Sequence, residues 1–108
     1  MSGPGDGGPD WVSEPGDDCG KLSEVTTLNS PNRDVLNAIR KNDVLEITLR
    51  RTGKSVIVEA LHGGKVAGTI TSSIIQKLAD CIDKGYVYVA DVIEEVKGGA
   101  CKIRVHSK

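Results

Sequence analysis

Gly53-Lys54-Ser55 is the residue order that closes a phosphate-binding loop, where backbone amides and a lysine grip the phosphates of a nucleotide. That loop needs a second glycine five residues before Gly53, and the position holds Thr48. It must also open a helix whose first amides point at the phosphates. Here Ser55 opens the strand-like run "SVIVEAL", so nucleotide hydrolysis is not expected. Zinc would need close pairs of ligands, and Cys19, His62, Cys81, Cys101 and His106 contain none. No metal and no cofactor are therefore expected. Cys81 beside a helix stripe and Cys101 on the strand face of Ile103 read as buried packing thiols. Cys19 follows Asp17 and Asp18, whose charges oppose thiolate formation, so it reads as a poor nucleophile.

The remaining polar residues assemble no catalytic set. Glu94 and Glu95 fall on opposite sides of their expected strand. Asp80 and Asp83 lie on the exposed side of a helix, Ser72 and Ser73 suit capping, and His62 sits in a Gly-rich turn. Asp91, within "VYVADVI", needs a polar partner if it is buried. The expectation is a non-enzyme.

Surface charge offers more. Arg50, Arg51 and Lys54 gather at a hairpin tip, and Lys102, Arg104 and His106 alternate along one strand face. Scattered cations of this kind hold phosphate backbones. Tyr86 and Tyr88, two apart on one strand, could add a stacking platform for single strands. The same face carries Ala90 and Val92, which leaves a core role for both tyrosines open.

The elements that must position these residues follow from periodicity. Ser30, Pro31, Val35, Leu36, Ile39 and Asn42 predict a short helix with Ser30 as its cap, Pro31 in its first position and Asn42 as a left-handed stop. Leu45, Ile47 and Leu49 alternate with Glu46, Thr48 and Arg50, and Val56, Val58 and Ala60 repeat the pattern, which predicts two strands joined by a turn at Gly53. His62-Gly63-Gly64 turns the chain into a third strand, "KVAGTIT". Over "SSIIQKLADCIDKG", Ile74, Ile75, Leu78, Ala79 and Ile82 form one apolar stripe. Ser73 with Gln76 predicts a capping box there, and Gly85 a left-handed end. "YVYVADVIEEV" and "ACKIRVH" predict two closing strands around a "KGG" turn, and "CGKLSEVTTLNS" allows one more short strand or an ordered arm. The fold class expected is α+β: a small, mostly antiparallel curled sheet or partly open β-barrel with two short helices.

Of the 108 residues, the first twenty, "MSGPGDGGPDWVSEPGDDCG", are rich in Gly, Pro, Asp and Ser. They predict a disordered acidic tail, with a single domain over 21–108. The stretch through Asp18 carries five acids and no base, so the rest of the chain is mildly basic at +4. Phenylalanine is absent, which leaves the core to Val, Ile, Leu and Ala. Neither a signal peptide nor a run of roughly 20 apolar residues is present. Membrane attachment is not expected, and with three cysteines in no evident disulfide framework a cytoplasmic location is.

From Gly64 to Val105, "GGKVAGTITSSIIQKLADCIDKGYVYVADVIEEVKGGACKIRV" resembles the latter half of HIRAN domains: a Gly-containing strand, a short helix, a Gly stop and two strands. The resemblance implies a small β-barrel module that binds DNA, often at single-stranded ends. The Asn-, Pro- and Asp-rich segment that precedes this part in HIRAN domains and contributes to DNA recognition is replaced here by "RTGKSVIVEALHGG".

Two roles follow. One is a non-catalytic module binding nucleic acid through Arg50, Arg51, Lys54, Lys102 and Arg104, with Tyr86 and Tyr88 as the platform. The other is a protein-interaction module that docks a partner by a sheet edge or by the acidic tail, with Trp11 as the anchor.

Overall fold

The computed structural model describes residues 19–108; the expectations placed on residues 1–18, including the acidic tail and its Trp11 anchor, lie outside them. A six-stranded antiparallel sheet curls into a half-barrel, with two helices. In chain order the elements are β1 (Ser23–Thr27), α1 (Arg33–Leu36), β2 (Val44–Thr52), β3 (Ser55–His62), β4 (Lys65–Ile70), α2 (Ile75–Asp83), β5 (Tyr88–Val92) and β6 (Lys102–Ser107). The strand order across the sheet is β1-β6-β5-β2-β3-β4.

Turn chemistry sets the hairpins. At the β2–β3 turn Gly53 has a positive φ and Lys54 does not. A two-residue loop with glycine first is the type II′ hairpin that matches strand twist. At the β3–β4 turn Gly63 and Gly64 both have positive φ, as type I′ requires. The Gly-Lys-Ser triplet is therefore a bend between two strands.

Alternation in the sequence becomes the inner face. Leu45, Ile47, Val58, Ala60, Tyr88, Ala90, Val92, Cys101, Ile103 and Val105 are all buried in one core with Leu78 and Cys81 of α2. The helix ends as its glycine predicts. Gly85 N–H donates to Ile82 O and Tyr86 N–H to Cys81 O, with Gly85 at a φ of 101°, a Schellman arrangement.

Several expectations are corrected. The first helix is a single turn capped by Asn32, whose side chain accepts from Asp34 N and Val35 N; Ser30 instead takes a φ of 48° where the chain bends. In α2 the cap position is Ile74, whose side chain carries no acceptor and makes no cap bond; Ser73 does not cap, and the Ser72 hydroxyl accepts from Ile74 N–H one residue earlier. Strand β5 stops at Val92, so Glu94 and Glu95 lie in the connecting loop, with a tight turn at Gly98 and Gly99. Cys81 is no free thiol: it is bonded to Cys19 across 62 residues of sequence. Cys19 is completely buried, so the folded body begins before residue 21. Cys101 is the free cysteine, and it is buried.

The curl brings the outer strands together at one point. Asn29, two residues past β1, exchanges backbone hydrogen bonds of 2.8 Å with Thr69 of β4 in both directions. Nearby, Asn32 N–H donates to Ala67 O at 2.9 Å. Gly68 permits this approach, since a Cβ there would stand 3.0 Å from Leu28 Cβ and 3.1 Å from Asn29 O.

Candidate docking edge

The cations singled out by sequence do not form one surface. In the strand register Arg104 stands opposite Asp91, and Asp91 opposite Val44 at the start of β2. Arg50 lies six residues further along that strand, about 20 Å at the usual rise. Lys102 is displaced the other way. The outer face between them carries Glu46 and Asp91. Three of the five cations already have carboxylate partners. Arg50 meets Glu59 at 3.1 Å, Arg51 meets Asp83 of α2, and Lys102 meets Glu94 at 3.6 Å. Lys54 and Arg104 have no ion pair among the described residues.

The tyrosine platform does not form either. Tyr88 is 1% exposed and points into the core with Ala90 and Val92. Its hydroxyl donates to the backbone carbonyl of Cys19 at 2.6 Å. Burial of the ring pushes Tyr88 above the ordinary tyrosine value of 10.0, with Tyr86 adding to the rise. Tyr86 precedes β5 and is 38% exposed. Two residues apart in sequence therefore face different surroundings, because only Tyr88 lies within the strand.

Asp91 has its partner. Its Oδ2 lies 2.8 Å from His106 Nε2, a pair on the outer face of β5 and β6. The other ring nitrogen, Nδ1, lies 2.9 Å from Ser107 O, so both ring nitrogens have partners. His62 approaches Asp43 at 3.4 Å. It lines an open depression of about 280 Å³ with Asp34 and Lys65. Among the described residues, no cluster of His, Cys, Asp and Glu could hold a metal ion. No helix of the described residues is long and apolar enough to cross a membrane.

What the fold leaves open is the edge of β1. Along an antiparallel pair, alternate residues point both backbone groups at the neighbouring strand, and those between point away. Leu28 N–H donates to Cys101 O at 2.9 Å, which fixes the phase: Leu28, Thr26 and Glu24 serve the ladder to β6, while Asn29, Thr27, Val25 and Ser23 point outward. Asn29 confirms it by bonding Thr69 on the far side. Beyond that bridge no strand of the described residues pairs with this side of β1. Ser23, Val25 and Thr27 thus present backbone donors and acceptors with no partner among the described residues. All three are exposed, Val25 at 44%.

Sheet edges are ordinarily blunted by proline, lysine, a bulge or an inward charge. The sequence of β1, Ser-Glu-Val-Thr-Thr, has no proline, glycine or lysine; its one charge, Glu24, shares the core-side face with its partner Val105, and its β-branched residues favour an extended chain. The outer face beside it is charged. Val25 has Arg104 of β6 beside it on that face, and Asp91 of β5 lies one strand beyond; the exposed Val44 belongs to β2, further across the sheet. The sequence allows "CGKLSEVTTLNS" a short strand or an ordered arm; it forms a strand whose place at the edge depends on pairing with β6, about eighty residues away. Comparison with protein-family models, curated proteins and solved structures finds no match.

Proposed function

We propose that the protein is a non-catalytic interaction module that binds an extended polypeptide segment by strand addition to β1. The observation that carries this reading is the edge at Ser23, Val25 and Thr27, which is unpaired among the described residues. Main-chain hydrogen bonds to these residues supply affinity, and the exposed Val25 and neighbouring Arg104 read alternate side chains of the incoming strand. The separated cations and the buried Tyr88 weigh against nucleic acid as the main partner. The buried Cys19–Cys81 bridge supports a working environment that keeps disulfides oxidised, in place of the cytoplasm expected from sequence.

The test is selection of peptides from a random displayed library against the wild-type protein and against Val25→Lys. Lysine at an exposed edge position keeps the backbone N–H but discourages pairing. Peptides rich in β-branched residues that bind wild type and lose at least about tenfold in affinity for the variant support the reading. Failure to select any peptide, together with tight, salt-dependent DNA or RNA binding abolished by Arg104→Glu, would overturn it in favour of nucleic acid.

A further inference from the structure

We infer that the occupant of the β1 edge is a second copy of the same strand, so that two molecules join β1 to β1 into one continuous antiparallel sheet. The inference rests on the strand-addition reading and names its partner. The phase of the ladder constrains how two such edges meet, because only outward-pointing residues can pair with outward-pointing residues. A two-fold axis through Val25 sets Val25 against its counterpart and Ser23 against the other molecule's Thr27. All three outward residues of each strand are then used, for roughly six hydrogen bonds across the interface.

Neighbouring registers fit less well. Shifting the axis toward the start of the strand sets Glu24 directly opposite the other Glu24, and like charges facing each other across a ladder are destabilising. Shifting it the other way leaves Ser23 without a partner, and going further would require Asn29, which already serves Thr69. In the favoured register Glu24 faces Thr26, and no like charges oppose each other along Ser23–Thr27. The two exposed Val25 side chains meet on the outer face, one strand removed from Arg104 on each side. The two guanidinium-bearing strands are about 14 Å apart at ordinary strand spacing, beyond the screening length in physiological salt of about 8 Å. A two-fold axis also closes the assembly: each molecule contributes its open β1 edge, and the far edge at β4 is occupied by Asn29 and Asn32.

Analytical ultracentrifugation of the whole chain, from about 1 to 500 µM, tests this. A reversible monomer–dimer equilibrium is expected, with its dissociation constant raised at least about tenfold in both Val25→Lys and Val25→Pro. Proline removes only an outward N–H, which an edge strand tolerates; circular dichroism checks that both variants remain folded. Val25→Cys should form an intermolecular disulfide spontaneously, seen on a non-reducing gel. A wild-type chain that stays monomeric throughout, or a dimer that neither variant weakens, overturns the inference. Monomeric protein that still selects peptides in a Val25-dependent way overturns the second copy as occupant and leaves the docking edge standing. Monomeric protein that selects none overturns both.

Discussion

Asn29 and Thr69 exchange two backbone hydrogen bonds of 2.8 Å, and this single bridge determines which part of the sheet edge is covered. From Asn29 onward the chain lies against β4. Before it, the outward groups of β1 have no counterpart among the described residues. The closure and the open edge are two consequences of one change in neighbour along one stretch of chain.

The closure depends on Gly68. Gly68→Val should destabilise the protein by about 1–3 kcal/mol, the range for forcing bulk into a packed site, because its Cβ meets Leu28 and the Asn29 carbonyl. Hydrogen exchange should then speed up at the Asn29 and Thr69 amides before it does at Leu45 or Ile103. Unchanged protection at Asn29 and Thr69 would show that the seam does not depend on this glycine.

Tyr88→Phe removes the donor to Cys19 O while keeping the ring in the core. A loss of about 0.5–1.5 kcal/mol is expected, the net worth of one hydrogen bond, and thermal unfolding measures it. The hydroxyl also sets an alkaline limit. Its folded pKa is raised above 10.0 by burial, so its contribution is fully present below pH 10 and is lost as pH rises from there through the folded value. Burial likewise pushes the Cys101 thiol above its ordinary 9.0, which adds a fall in stability starting about one unit lower. Tyr88→Phe should lose the tyrosine part of that alkaline fall and keep the cysteine part.

The Cys19–Cys81 bridge ties the segment before β1 to the last turns of α2. Cys81→Ser should lower stability by about 2–4 kcal/mol, the usual worth of a native disulfide. Thiol titration of the oxidised wild-type protein should find the one free thiol, Cys101, under denaturing conditions and almost none in the native state. Two further thiols released by denaturation alone would contradict the bridge.

Much of this was legible in the sequence, where local patterning governs. The alternation of Leu45, Ile47, Val58, Ala60, Ile103 and Val105, the glycine turns and the Gly85 helix end depend on neighbours a few residues apart. The α+β half-barrel follows from them. The disulfide joins residues 62 apart, and spacing between cysteines does not encode their distance in space. Arg50 and Arg51 looked free because Glu59 and Asp83 come within reach only through strand pairing and helix docking. The edge itself depends on the sheet order, in which the first strand pairs with the last.

Charge at the hairpin tip is constrained by these pairs. Glu59→Gln should free Arg50 and strengthen any weak affinity for polyanions such as heparin at low salt. Loss of an exposed pair changes stability by no more than about 1 kcal/mol. Affinity chromatography in a salt gradient measures the first effect and thermal unfolding the second. A lower elution salt for the variant would show that Glu59 does not mask Arg50.

Strand addition at β1 has a direct signature in amide exchange followed residue by residue. In the dilute monomer, Ser23, Val25 and Thr27 should exchange rapidly, while Glu24, Thr26 and Leu28 are protected by their ladder to β6. Raising the protein concentration, or adding a selected peptide, should slow exchange at Ser23, Val25 and Thr27 and leave their neighbours unchanged. Val25 already protected in the dilute monomer, or unaffected by both additions, would contradict an open docking edge.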